Sequence, residues 1–498
     1  MRLFLPFRIP LLRAFAVFVA VACIQLFEGT GFIFTLLFFA FSVMAVIAFN
    51  VAEGFATFPG VYVFFFSTLT ILVGGWWKLF MRSPGDSNLL EPQVTITVYA
   101  VSMALLLLVV VLNRKIALRP RVLVELFRTE DMNYQVAALG CLVFGLALIV
   151  LGGILPEQGA AAVRTVNQVN IPFLIAAILL GTIGTIQQSG GRRTLSFVNG
   201  LAMAVIFVQG LTSFSKQALL TPGACWLAAL AYTRIKLRWG QYVGLAVFAF
   251  LTLYFANTWS GGRNDVPATG ATFSQRVTLA EFELLHFNDL RTRAAEAEAF
   301  YRDQGQITYF DPPQGILERL TMFGPDDQLI AYSAAGHYEG YGPAIGDFEN
   351  WVPHLLVPNK PPTIGGNYYA HEIGGLAPDD FTTGVSYSPV AEAYHLDGWT
   401  SILLLLPAIW LLLFLSVDFT TSGDLRRGPW ALILIIFFAH AAPESLLGGL
   451  IYYIFNGNVA ILFAMFFCTR IAPTVGVFFY GRRRMEALEA QRPLPRAA

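Results

Sequence analysis

Between residues 258 and 398 the sequence carries 19 Asp and Glu against 7 Lys and Arg, so the few cations of that stretch stand out. They are Arg263, Arg276, Arg291, Arg293, Arg302, Arg319 and Lys360. Arg263 follows directly on a long apolar segment and Lys216 opens an earlier one, so both belong at the level of lipid headgroups. There Arg can grip a phosphate as a bidentate fork and Lys as a point charge. Snorkelling of a long cationic side chain is the plainer role for the same two positions. Arg291, Arg293 and Arg302 have carboxylate neighbours at helical spacing and read as ordinary surface pairs.

A second group is carboxylate and imidazole. Glu392, His395 and Asp397 lie just before a long apolar run, and at helical spacing Glu392 and His395 share a face. A general base and the group that orients it use that arrangement, as does any polar helix approaching a membrane. His337/Glu339 and His371/Glu372 are looser pairs. No HExxH, paired-carboxylate metal motif, Walker loop or GxSxG occurs, so metal, nucleotide and serine-hydrolase chemistry lose their usual support. No metal site and no cofactor is expected.

The elements that must position these residues are membrane helices. Of 498 residues, 56% are apolar and 13% charged, and mean hydropathy is +0.61. Soluble domains carry about 25% charged residues, which places this chain in the membrane class. Its net charge of zero argues against a nucleic-acid partner. Cys23, Cys141, Cys225 and Cys468 all sit in apolar runs and read as small packers, not a disulfide framework. The segment 11–27 runs straight into another apolar stretch, and reads as a first span, not a cleaved leader.

A span needs about 20 mainly apolar residues. By that measure helices fall near 10–27, 31–49, 55–79, 93–112, 134–154, 170–187, 195–212, 218–233, 240–257, 399–416, 429–453 and 458–479. The expected fold is an all-α polytopic membrane protein with about 12 transmembrane helices. Residues 1–257 hold spans one to nine, 258–398 one large loop domain, 399–480 the last three spans and 481–498 a basic tail. With the N-terminus inside, the inner segments collect 20 positive residues and the short outer loops only Lys78, Arg82, Arg164 and Lys216. The positive-inside rule then puts both termini in the cytoplasm and 258–398 outside, the periplasm in a Gram-negative cell. Two spans are irregular. Pro222 and Gly223 come early in the eighth, while His440, Pro443 and Glu444 fall within the eleventh, where ionisable groups need a partner or a wet cavity.

Within the loop, 274–302 reads as a helix with Leu279, Phe282, Leu285, Leu290 and Phe300 near one face, and 315–335 as a second. From Gly336 onward Gly, Pro and aromatic residues dominate, a composition that argues against regular helix. Long stretches of that kind are usually lids or binding surfaces.

Three local stretches, with this topology, resemble the bacterial O-antigen and exopolysaccharide repeat-unit polymerases of the Wzy type, relatives of the O-antigen ligases. Thr212-Ser-Phe-Ser-Lys216-Gln-Ala-Leu-Leu is similar to that superfamily's Ser-Arg-Gly-Ala-Leu helix entry, with Lys in place of Arg. Trp351-Val-Pro-His-Leu-Leu-Val-Pro-Asn-Lys-Pro361 is similar to a Pro…Leu-Phe-Pro-x-Lys-Pro stretch of the polymerases. Ser388-Pro-Val-Ala-Glu392-Ala-Tyr394-His-Leu-Asp-Gly398 is similar to their Gly-Glu-Ala-Tyr…Gly re-entry into the membrane. The ligases place His followed by Asn or Ser eleven residues before that glycine, and here Tyr387-Ser388 stands there. The likeness therefore favours a polymerase over a ligase.

The resemblance implies a GT-C-like membrane glycosyltransferase of the bacterial inner membrane. It would carry out metal-independent, inverting transfer of a growing glycan from polyprenyl pyrophosphate to another lipid-linked repeat unit. Lipid-linked oligosaccharides and the bilayer are the implied partners, with flippase and chain-length regulator proteins as neighbours. Lys216, Arg263, Arg276 and Arg319 would take the pyrophosphate side; Glu392, His395 and His337 the acceptor side; Tyr338, Tyr341, Tyr368 and Tyr369 would stack on sugars. The rival readings are an O-antigen-ligase type transfer to a lipid acceptor, a transporter or flippase, and a scaffolding subunit of an export machine.

Overall fold

The computed structural model describes residues 6–116, 132–154, 160–259, 261–262, 273–303, 308–314, 316–351, 365–376, 385–421, 429–472, 474–475 and 478. Among these residues the regular structure is helical, and no strand forms. Seven helices are long and apolar enough to cross a membrane: Phe32–Val51, Phe58–Met81, Pro92–Ile116, Tyr134–Gly152, Asn170–Ser189, Pro389–Thr421 and Leu447–Ile471. Leu11–Phe27, Phe197–Thr212 and Trp239–Phe250 are shorter apolar helices. The chain is thus a multi-pass, all-α membrane protein. In lipid a backbone must satisfy its own hydrogen bonds, and these apolar sequences do so as helices.

The end of the chain departs from the expected spans. Helix Trp430–Glu444 stops at Ser445 and Leu446, whose backbones leave the helical conformation, and a new helix starts at Leu447 and continues to Ile471. The division falls at 445–446 rather than between 453 and 458. Its cause is tertiary: the Leu447 N–H, one of the donors a helix start leaves open, is taken by the Glu392 carboxylate 55 residues earlier. Glu444 consequently ends a helix, where it accepts from Ser386 Oγ at 3.3 Å, instead of lying within one.

Residues 309–334 pack into the same apolar core as the spans. Tyr309, Phe310, Phe323, Leu329 and Ile330 are buried among side chains of Phe32–Val51, Phe58–Met81 and Pro92–Ile116. Helix Phe323–Ala334 touches Pro92–Ile116 on one side and Pro389–Thr400 on the other. Three polar devices fasten it. A π-helical turn at Thr68–Leu72 leaves carbonyls open, and Leu69 O and Thr70 O accept from Met322 N at 3.2 Å and Thr321 Oγ1 at 3.0 Å. Asp327 caps the start of Pro92–Ile116 from a distance, taking Leu90 N, Glu91 N at 3.2 Å and Thr95 Oγ1 at 2.7 Å. Asp326, fully buried, accepts from the Tyr99 hydroxyl and from Ser388 N at 2.9 Å.

Lys78 is buried at the end of Phe58–Met81. Its ammonium donates to Ser87 O at 3.1 Å and Ser87 Oγ at 2.6 Å and lies 4.7 Å above the Tyr309 ring, whose hydroxyl donates to Gly85 O. A cation counted in the sequence as a loop charge therefore works as an internal clasp.

The predicted helix over 274–302 is two, Phe273–Leu285 and Phe287–Asp303, joined at His286. Arg293 pairs with the buried Glu283 at 2.8 Å and Arg291 lies 5.5 Å over the Tyr254 ring, instead of pairing with carboxylates at helical spacing on the surface. The Gly- and Pro-rich part is also more regular than expected, with helices Gly342–Trp351 and Gly366–Glu372. Pro343 sits in the first turn of its helix, where its missing N–H breaks no bond.

Candidate functional site

The site is built around one kinked helix. Ser388 starts Pro389–Thr400 by accepting from Ala391 N at 3.2 Å, with Pro389 in the first turn. The helix then breaks at Asp397 and Gly398 before continuing as a span. Gly398 has φ +55°, a region where a side chain is strained, and a Cβ there would lie 3.2 Å from the Tyr338 hydroxyl. The carbonyls freed by the kink are used: Glu339 N donates to His395 O at 3.1 Å and Gly340 N to Leu396 O at 2.9 Å. Segment 336–340 is thereby held along the kink.

Glu392 and His395 are both buried in this helix, at 2% and 0% exposure, yet they do not serve each other. Glu392 accepts from Leu447 N and from Tyr369 Oη at 2.9 Å. Beside it the Asp347 carboxylate lies against Gly448, so two carboxylates meet the positive start of the Leu447–Ile471 helix. Burial pushes the Asp347 carboxyl up to about 6. A Cβ at Gly448 would collide with that carboxylate.

His395 finds other partners. Nδ1 is 2.9 Å from Ser333 Oγ and Nε2 is 3.1 Å from Glu372 Oε2. The Tyr369 ring meets the imidazole edge to face at 5.2 Å between centres. Glu339 completes the group, its carboxylate accepting from Tyr368 Oη at 3.0 Å. The carboxylate partner of His395 is therefore Glu372, on helix Gly366–Glu372, rather than Glu392.

Beside this group is an open aromatic face. Tyr338, Tyr341, Tyr368 and Trp399 are 47%, 39%, 45% and 39% exposed. Tyr341 Oη donates to Asp397 at 2.8 Å, and exposed His337 stacks on Tyr332 at 4.5 Å. Tyr369, the fourth tyrosine expected to stack on sugars, is interior. Its hydroxyl is raised by burial and by the Glu392 charge, and stays a proton donor at any physiological pH.

Of the cations, Lys216 and Arg276 lie on helices that contribute to a separate small core. Lys216 is the first residue of helix Lys216–Thr233, which Ser215 caps. It adjoins a small separate core in which Phe214 stacks on Trp259 at 5.1 Å and Gly262 packs against the Phe214 ring. Phe273–Leu285, the helix of Arg276, contributes Ala280 to the same core. Arg319 ends the short helix Ile316–Arg319. Arg263, Lys360 and most of the Trp351–Pro361 motif lie outside the described residues.

Sequence reasoning missed Asp326, Asp327, Asp347 and Lys78 as positioning residues. A signal existed for three of these four positions: a doublet of acids inside the apolar run around 326–327, and a lone Lys in an apolar span, both costly without partners. An all-α, multi-pass membrane protein with a carboxylate–imidazole centre around a buried histidine, beside an open aromatic face, is the class this geometry defines. No protein-family model, no curated protein and no solved structure matches the chain.

Proposed function

We propose that this protein is a membrane glycosyltransferase that polymerises polysaccharide repeat units on the outer face of a bacterial inner membrane. Twelve spans with both termini inside and the 258–398 region outside accompany this reading. The observation that carries it is the pairing of His395, buried with Glu392 on one kinked helix, with the half-buried Glu372, beside the exposed rings of Tyr338, Tyr341, Tyr368 and Trp399. Sugars bind through flat aromatic faces combined with carboxylate hydrogen bonds, and an acceptor hydroxyl needs a base within reach.

In the proposed reaction the acceptor hydroxyl oxygen attacks the anomeric carbon of a glycan on polyprenyl pyrophosphate. The new C–O bond forms as the bond to pyrophosphate breaks, its electron pair leaving on the phosphate oxygen. The hydroxyl proton passes to a carboxylate or imidazole of the Glu392, His395 and His337 group. Lys216, Arg263, Arg276 and Arg319 offset the charge developing on pyrophosphate. Purified protein given a single lipid-linked repeat unit should produce a ladder of polymer lengths. Transfer to a different lipid acceptor without a ladder would indicate the ligase alternative, and substrate translocation without transfer a transporter.

A further inference from the structure

The proton inventory at His395 is unusual. Ser333 Oγ is 2.7 Å from Leu329 O, a carbonyl that can only accept, so the Ser333 hydroxyl proton is committed there. The 2.9 Å contact between Ser333 Oγ and His395 Nδ1 must then have Nδ1–H as the donor. In neutral imidazole that leaves Nε2 as a bare lone pair. It nevertheless points, from a fully buried ring, at the Glu372 carboxylate 3.1 Å away. A neutral ring sets two acceptors against each other across that gap, an opposition that either a second ring proton or a bound cation removes.

A third acceptor joins them. His395 Nε2, a Glu372 oxygen and a Glu339 oxygen all lie within 4.8 Å of one another. They come from three separate segments, and two are oriented from outside the group, His395 by Ser333 and Glu339 by the Tyr368 hydroxyl. Fixing the far nitrogen or oxygen of each ligand by an outer hydrogen bond is the usual support of a metal centre. Ligands of a cation bound at about 2.0–2.2 Å stand about 3–4 Å apart; His395 Nε2 and Glu372 are 3.1 Å apart, with Glu339 within 4.8 Å of both. One imidazole and two carboxylates suit first-row divalent ions such as zinc or manganese.

The geometry points to a divalent-cation site formed by His395 Nε2, Glu372 and Glu339. This rests on the same centre as the proposed transferase but goes beyond that reading, because the ion's part is to organise. It ties segment 336–340, helix Gly366–Glu372 and the kinked helix together and so fixes Tyr338 and Tyr368 in the aromatic face. With Nε2 engaged, the acceptor's proton falls to Glu392 or His337.

The full-length protein in detergent, stripped with chelator and titrated with Co2+, should take up about one equivalent with visible ligand-field absorption. Zn2+ should displace it. Glu372→Gln and Glu339→Gln should each weaken uptake at least tenfold, and Ser333→Ala, which acts only through His395, should weaken it by about tenfold. Asp397→Asn, outside the three ligands, should leave uptake intact, which separates ligand loss from unfolding. Absence of stoichiometric uptake by the wild type, or equal uptake by wild type and both Gln variants, would overturn the site. Polymer ladders from metal-free protein that binds no ion would discard the ion and keep the transferase. Stoichiometric ion uptake with no polymer would do the reverse.

Discussion

At the scale of single residues, buried carboxylates set what can be tested. Glu392→Gln keeps a carbonyl to accept from Leu447 N but cannot take a proton. If Glu392 serves the acceptor hydroxyl, repeat-unit polymerisation should fall by about 10²–10⁴-fold with protein yield unchanged, read directly from ladder formation. Asp326 gives a pH prediction. Burial outweighs its hydrogen bonds from Tyr99 and Ser388 and lifts its carboxyl to about 7, against about 3.9 for an unfolded chain. The folded protein therefore holds a proton that the unfolded chain gives up between those values. Its contribution to stability is full below about pH 4 and is lost as pH rises to about 7. Melting temperature should fall across that window, and Asp326→Asn should flatten the slope. Asp327, Asp347 and Glu318 shift in the same direction by burial and leave part of it in place. An unchanged slope in Asp326→Asn would mean that Asp326 is charged in the folded protein throughout.

At the scale of elements, the sequence was informative wherever structure is local. Apolar length located the helices, and the three-residue spacing of Glu392 and His395 put both on one buried helix. What it concealed was pairing across distance. Glu372 lies 23 residues from His395, Asp327 lies 232 from Thr95, and the start of Leu447–Ile471 is defined by Glu392, 55 residues away. No local pattern announces such partners, so the break at Ser445–Leu446 was read as continuous helix. Two substitutions probe these joints. Gly448→Ala forces a methyl group into the Asp347 carboxylate and should cost about 1–3 kcal/mol, seen as a lower melting temperature. Asp327→Ala strands Leu90 N, Glu91 N and the Thr95 hydroxyl at the head of Pro92–Ile116. The loss should be about 1–3 kcal/mol for each donor that water does not reach. Wild-type melting in either variant would show that the joint relaxes freely.

At the scale of the whole molecule, the proposed orientation is open to direct test. In a chain cleared of its own cysteines, Tyr338→Cys should react with a membrane-impermeant maleimide on intact cells, and Arg192→Cys only after lysis. Labelling in the opposite sense would reverse the topology and remove the proposed transferase from the outer face. The seating of residues 309–334 among the spans, through the Leu69 carbonyl, the Lys78 clasp and the paired Asp326 and Asp327, has a further outcome for anyone redesigning the protein. The hydrophilic portion cannot be exchanged like a cassette. A chimaera carrying foreign sequence across residues 309–334 would forfeit both acids at once and leave Tyr99, Thr95 and Lys78 facing a misfit. If the proposed transferase is right, altered sugar preference is better sought by grafting side chains onto the rim at 338, 341 and 368 than by transplanting the region entire.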